Sequence, residues 1–212
     1  MLVTDPLFSG FVQNLGRPGG NVTGFSLFES SVGGKWLALL KEAAPTVSKV
    51  SLLFNPETAP FAEGYRRSAE AAAPTLGMTV VPAPCGNAAN IETAFDAQAR
   101  EGSGGIIGIP DTFIVEHRDL IIELAAWHHL PAVYGTRDFV RRGGLLAYSA
   151  DFETIFHRAA SYVDQTLRGV RPGDLPVQAP DKFTLSVNLR AAGAIGLTLP
   201  PNLISRADEV IE

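Results

Sequence analysis

Cysteine occurs once in the 212 residues, at Cys85. An intrachain disulfide is therefore excluded. Cys85 ends the apolar run "VVPAPCGN", the setting of a buried thiol rather than of a nucleophile. Basic residues are also few: 17 Lys and Arg against 22 Asp and Glu, a net charge of −5. They are scattered, so the basic face that binds a phosphate backbone is missing and no nucleic-acid partner is expected. No apolar run reaches the roughly 18 residues of a spanning helix, so no membrane insertion is expected. The opening "MLVTDP" has no signal-peptide pattern. As written, the chain is expected to stay in the cytoplasm.

Enzyme signatures are missing too. "LGRPGGNVTGFS" at 15–26 is rich in glycine but fits neither G-x-x-x-x-G-K-[ST] nor a G-x-G-x-x-G that directly follows a strand. No G-x-S-x-G elbow appears. His128 and His129 are neighbours and would point about 100° apart on one helix, a poor pair for one metal. His117 lies beside Glu116, and His157 is on another helix. Asp111, Glu116 and Asp119 share a segment with no histidine placed to be oriented by them. No catalytic group, no metal and no cofactor is expected.

What is present is an ordinary globular composition, 46% hydrophobic with 21 Gly and 15 Pro, and a regular alternation of elements. "GGKWLALLKEAAP" has helical spacing and "KVSLLFNP" is a short apolar run that suits a strand buried on both faces. "FAEGYRRSAEAAAPTLG" is a helix, "MTVVPAP" a strand, and "NIETAFDAQARE" a helix with Asn90 as its expected N-cap. "GGIIGIPD" is a strand, "TFIVEHRDLIIELAAWHHL" one helix, "PAVYG" a strand, "TRDFVRRGG" a short helix or turn, and "LLAYS" a strand. Such alternation defines an α/β fold, a doubly wound parallel sheet over 29–149. Beyond it come a long amphipathic helix capped by Asp151, a proline-rich crossing, the strand "FTLSVNL", and short helices in "AAGAIGL" and "PNLISRADEVIE".

In an open parallel sheet, ligands sit beyond the carboxyl ends of the strands. The residues delivered there are Asn55, then Cys85 and Asn87, then Asp111 and Thr112, then Tyr134 and Gly135, then Tyr148 and Ser149. Asn55 and Asp111 also suit capping of the turns that follow them. An amide, a carboxylate and two phenols form a rim suited to a small organic molecule.

The segments "DPLFSGFVQNLGRPGGNVTGFS", "GKWLALLKEAAPTVSKVSLLFNPETAP", "HRDLIIELAAWHHLPAVYGTRDFVRRGGLLAYSADF" and "LPVQAPDKFTLSVNLRAAGAIGLTLPPNLISRADEVIE" resemble the substrate-binding proteins of ABC transporters, in the tryptophan/tyrosine-type group. The resemblance covers essentially the whole chain. It implies the type-1 periplasmic binding fold, with two doubly wound lobes, three crossings and a ligand clamped between them. It further implies a solute-binding function without catalysis, an ABC permease as partner, and a periplasmic or lipid-anchored location. Two alternatives are an effector-sensing domain of a transcription repressor and a flavodoxin-like enzyme. The former needs a helix-turn-helix, the latter a phosphate loop or an acid/base pair.

On this resemblance "RPGGNVTGFS" is a tight turn into the second lobe, held by Arg17 and Asn21. Residues 1–28 are a remnant of the amino-terminal lobe and the first crossing, with "MLVTDP" the tail of a strand and "LFSGFVQNLG" a helix. Residues 29–149 are the carboxy-terminal lobe. Residues 150–212 hold the long helix of the amino-terminal lobe, the return crossing, and the last strand and helices. Hinges are expected near 24–28, 147–151 and 176–183. The ligand is expected to be an amino acid or similar amphiphile, with Asp111 facing an amine, Tyr134 or Tyr148 an apolar body, and Arg137 a carboxylate. Family members carry an export signal and most of a lobe ahead of "DP", so the chain reads as truncated. The apolar helix at 151–169 would then lack its cover, and a homodimer through residues 1–25 and 150–175 is expected.

Overall fold

A computed structural model describes every residue except Met1, Thr4, Asp5, Phe8, Ser9, Phe28 and Glu101. The strands are β1 (Leu2–Val3), β2 (Phe25–Ser26), β3 (Lys49–Phe54), β4 (Thr79–Pro84), β5 (Gly104–Gly108), β6 (Ala132–Tyr134), β7 (Leu146–Ala150), β8 (Phe183–Asn188) and β9 (Glu209–Ile211). The helices are α1 (Val32–Ala43), α2 (Ala62–Leu76), α3 (Ala88–Ala99), α4 (Thr112–Glu116), α5 (Arg118–Trp127), α6 (Asp138–Arg141), α7 (Phe152–Leu167), α8 (Leu189–Ala194) and α9 (Pro201–Ser205). The chain divides into two compact units, residues 1–29 with 150–183 and residues 30–149 with 184–212.

The larger unit is an α/β layer structure on a seven-stranded sheet, ordered β4-β3-β5-β6-β7-β8-β9. The pairs β3/β4, β3/β5, β5/β6, β6/β7 and β8/β9 are parallel. Asn188 N donates to Leu145 O and the Ser149 and Thr184 hydroxyls meet, so β8 runs against β7. The interior strands are buried throughout: every residue of β5 and β6 is shielded from water. That is why they read as continuous apolar runs and not as alternating ones.

Helix α1 packs closely on α2. A Cβ on Gly33 would lie 2.3 Å from Tyr65 O, so only glycine lets the two backbones approach this far. Gly77, at φ 61°, closes α2 in the left-handed conformation that favours glycine.

Local chemistry departs from the sequence expectations at four places. The helix expected over 112–130 is two helices, broken at His117 (φ −93°, ψ 16°), whose ring packs on Phe113 and whose Nδ1 lies 2.9 Å from Phe113 O. The cap of α3 is Asn87, which accepts from Asn90 N, and not Asn90 itself. The last segment contains β9 as well as a helix, because Glu209–Ile211 finds an open edge in β8. Of "LFSGFVQNLG", Phe8 and Ser9 lie outside the described residues, as do Met1, Thr4 and Asp5 of "MLVTDP". The described remainder of 7–16 is turns, with Gly10 at φ 69° interrupting any helix.

In the smaller unit β1 pairs with β2 in parallel, and Ser26 N donates to Gln178 O at 2.9 Å. Helix α7 begins at Asp151, whose carboxylate accepts from Glu153 N and Thr154 N. Its inner side, Ile155 and Tyr162, forms a small core with Phe25, Ala150 and Leu175. The glycine-rich segment seats here. Gly19, at φ 76°, donates its N–H to Gly173 O, and Thr23 Oγ1 donates to Leu175 O. The side-chain bonds of that turn come from Asn14, whose Oδ1 accepts from Gly16 N and Arg17 N. Among the described residues Arg17 and Asn21 contribute no side-chain bond to it.

Candidate functional site

The sheet order contains one reversal that matters. From β3 the chain winds outward to β4, then crosses back over β3 to β5 and continues the other way. The carboxyl ends of β3 and β5 therefore flank a topological switch point, where helices leave on opposite faces and a crevice opens.

Asn55 follows β3 and Asp111 follows β5, and the two are joined directly. Asp111 Oδ2 accepts from Asn55 N at 2.9 Å, and its Oδ1 accepts from Thr58 Oγ1 at 2.5 Å and from Phe113 N at 3.3 Å. Asn55 Oδ1 accepts from Glu57 N at 2.8 Å. Both side chains are buried, 5% exposed for Asn55 and 1% for Asp111. Asp111 thus ties the end of β3 to the start of α4 and shapes the floor of the crevice. Its three donors occupy both carboxylate oxygens, so a ligand amine would compete with bonds already made.

Thr112 is exposed at the first turn of α4. Next to it, Gly135 follows β6 so closely that a Cβ there would lie 2.5 Å from Pro110 Cδ. This contact brings Thr136 and Arg137 to the same edge. The Thr136 Oγ1 is buried without a hydrogen-bond partner. The half-buried Arg137 guanidinium forms no hydrogen bond or ion pair among the described residues. The neighbouring acid, Asp138, is taken by Arg118 and Arg142, each at 3.2 Å. A hydroxyl and an uncommitted guanidinium on consecutive residues are what a carboxylate requires.

Tyr148, in the middle of β7 and not beyond its end as expected, is half-buried. Lys35 Nζ stands 5.8 Å from its ring centroid, and Trp36 Nε1 donates to its carbonyl at 2.7 Å. Burial, and then the Asp208 charge, raise its phenol pKa. Tyr134 does not join this rim. Its ring is fully buried, stacked on Phe139 at 4.3 Å, and its hydroxyl has no partner. Side chains alternate along a strand, and Tyr134 falls on the inner face, beside an apolar cavity of about 60 Å3 lined by Leu130, Leu145 and Ala191. Cys85 is in the core as well. Burial, with the Asp111 charge behind it, pushes its thiol up to about 11. A further hollow of about 280 Å3 lies between Phe54, Pro56, Pro60 and Pro82, next to the Glu63–Arg66 pair.

The edge thus brings together Asn55, Asp111, Thr112 and Arg137, and leaves Tyr134 inside. Sequence reasoning missed Thr136 and Lys35. Thr136 carried a signal, as a polar residue one step past the strand-ending glycine. Lys35 carried none, because its placement depends on how α1 packs. Among the described residues no group of His, Cys, Asp or Glu could hold a metal ion, and no helix is long and apolar enough to cross a membrane.

The doubly wound sheet with its switch-point crevice is the lobe architecture of periplasmic binding proteins. The profile of the ABC transporter substrate binding protein family matches residues 1–211, and the chain belongs to that family. It is 26% identical over 187 residues to a tyrosine-binding protein of Clostridioides difficile, an alignment that takes in 88% of this chain and 53% of that one. A conserved domain protein of Vibrio cholerae superposes with a TM-score of 0.86 at 29% identity, over 98% of this chain and 69% of that structure. An ABC domain from Streptococcus pneumonia in complex with L-Trp superposes equally well, 0.86 at 23% identity, over 98% of this chain and 71% of that one. The chain spans about half the length of the curated relative that it matches. The family match favours a substrate-binding protein over a repressor effector domain or a flavodoxin-like enzyme.

Proposed function

We propose that this chain binds a small amphiphile with a carboxylate, of the aromatic amino acid class, for delivery to an ABC permease outside the cytoplasm, with no catalytic step. The observation that carries the reading is the pairing of an uncommitted Arg137 with the orphaned Thr136 hydroxyl beside the β3/β5 switch point. Arg137 and Thr136 take the carboxylate. Tyr148 and Thr112 border the body of the ligand. Asp111 and Asn55 hold the crevice in shape, and Asp111 meets the amine only if Thr58 gives way. The relatives support the ligand class: one is named a tyrosine-binding protein and another was solved with L-Trp.

Calorimetric titration with L-tyrosine and L-tryptophan tests this. Binding of either is expected, weakened about tenfold to a hundredfold by Arg137→Ala, the loss typical of a charged hydrogen bond. Equal affinity of the Arg137→Ala variant would remove Arg137 from the site. No heat with either amino acid would reject the ligand class.

A further inference from the structure

Asp111 is a buried carboxylate without a counter-charge. Its oxygens accept from Asn55 N, Phe113 N and Thr58 Oγ1, but among the described residues no basic side chain pairs with it. Buried charges are ordinarily matched by a charge of opposite sign. Here hydrogen bonds satisfy the oxygens, and the cation is missing.

The three donors differ in how easily they can leave. The amides of Asn55 and Phe113 belong to the backbone that ends β3 and begins α4. Neither can withdraw without unwinding its element. Thr58 donates from a side chain, on the turn after β3, and a rotation about χ1 is enough to release it. Of the three residues only Thr58 is exposed, so it stands on the solvent side of Asp111, where a ligand arrives. Its neighbours Pro56, Ala59 and Pro60 border the hollow of about 280 Å3, which leaves the turn room to shift. Oδ1 already accepts from both Thr58 and Phe113, and two bonds fill its lone pairs. An amine on this oxygen must therefore replace the Thr58 hydroxyl.

We propose that Thr58 is a placeholder: its hydroxyl occupies the seat of the ligand ammonium on Asp111 and is displaced when an amino acid binds. The inference rests on the ligand class proposed above. The ammonium supplies the missing cation, and its charged bond is stronger than the neutral one it replaces. The displaced bond is subtracted from the affinity of every ligand with an amine, and of no ligand without one. Thr58 is then a specificity-determining residue that narrows the preference for amino acids over their deaminated analogues.

Calorimetry with L-tryptophan and indole-3-propionate, which lacks the amine, tests this on the wild type, Thr58→Val and Thr58→Ser. Valine keeps the shape and removes the hydroxyl. Thr58→Val is expected to bind L-tryptophan about tenfold more tightly and indole-3-propionate as the wild type does. Thr58→Ser keeps the hydroxyl and should restore the wild-type ratio of the two affinities. Equal tightening of both compounds by Thr58→Val would mean a reshaped crevice and overturns the proposal. An unchanged affinity for L-tryptophan overturns it as well. A wild type that binds neither compound rejects the ligand class, and the role of Thr58 falls with it.

Discussion

Tyr134 and Asp111 show how differently two polar residues at strand ends can be employed. Asp111 is buried with every oxygen bonded, and so costs the fold little. Tyr134 is buried with its hydroxyl unbonded. Burial alone pushes its pKa above the usual phenol value. An unsatisfied buried hydroxyl is a net loss. Tyr134→Phe keeps the stack on Phe139 and is expected to raise the unfolding free energy by about 1 kcal/mol in a urea titration. A loss of stability instead would mean that the hydroxyl is bonded to a water in the adjoining cavity.

Helix α7 starts from a residue with two roles. Asp151 caps it and also pairs with Lys182 at 2.7 Å. The Lys182 ammonium, with help from Thr154, holds the Asp151 carboxyl at about 2 instead of 3.8. The folded pKa lies below the unfolded one, so the stabilisation is complete above pH 3.8 and fades as the pH falls through about 2. Asparagine can still cap a helix but cannot pair with lysine. Asp151→Asn should therefore melt below the wild type at neutral pH, and the two melting curves should converge across this acid window. A gap that stays constant down to the lowest pH would show that the Lys182 pair contributes nothing.

For the molecule as a whole, stability is unevenly spread. The larger unit holds a seven-stranded sheet and the main core, with Trp36, Phe95 and Tyr134 fully buried. The smaller has a two-stranded sheet, which is marginal alone, and a core of a few side chains around Phe25. Native-state hydrogen exchange should find β3, β5 and β6 slowest and α7 opening well before them. Equal protection of α7 and β5 would contradict this.

Much of the architecture was legible beforehand for a physical reason. The strands and their connecting helices are set by local periodicity and by glycine and proline punctuation, so the α/β alternation, the caps at Asp111 and Asp151, and the stop at Gly77 follow from neighbours in the chain. Interior strands of a parallel sheet announce themselves as unbroken apolar runs, as Lys49–Phe54 and Gly104–Gly108 do. The sequence by itself therefore determined the fold class, and with it the edge of the sheet where a ligand could sit. Only the tertiary structure decided which side chains reach that edge. Tyr134 turned inward because the alternation phase of β6 is set by Gly108 and Phe139, residues on other elements. Asp111 became a latch because Asn55 and Thr58 arrive from β3, more than fifty positions away. Arg137 was left uncommitted because Arg118 and Arg142 converge on Asp138. Distances between residues remote in sequence settled each of these, and no local pattern encodes them.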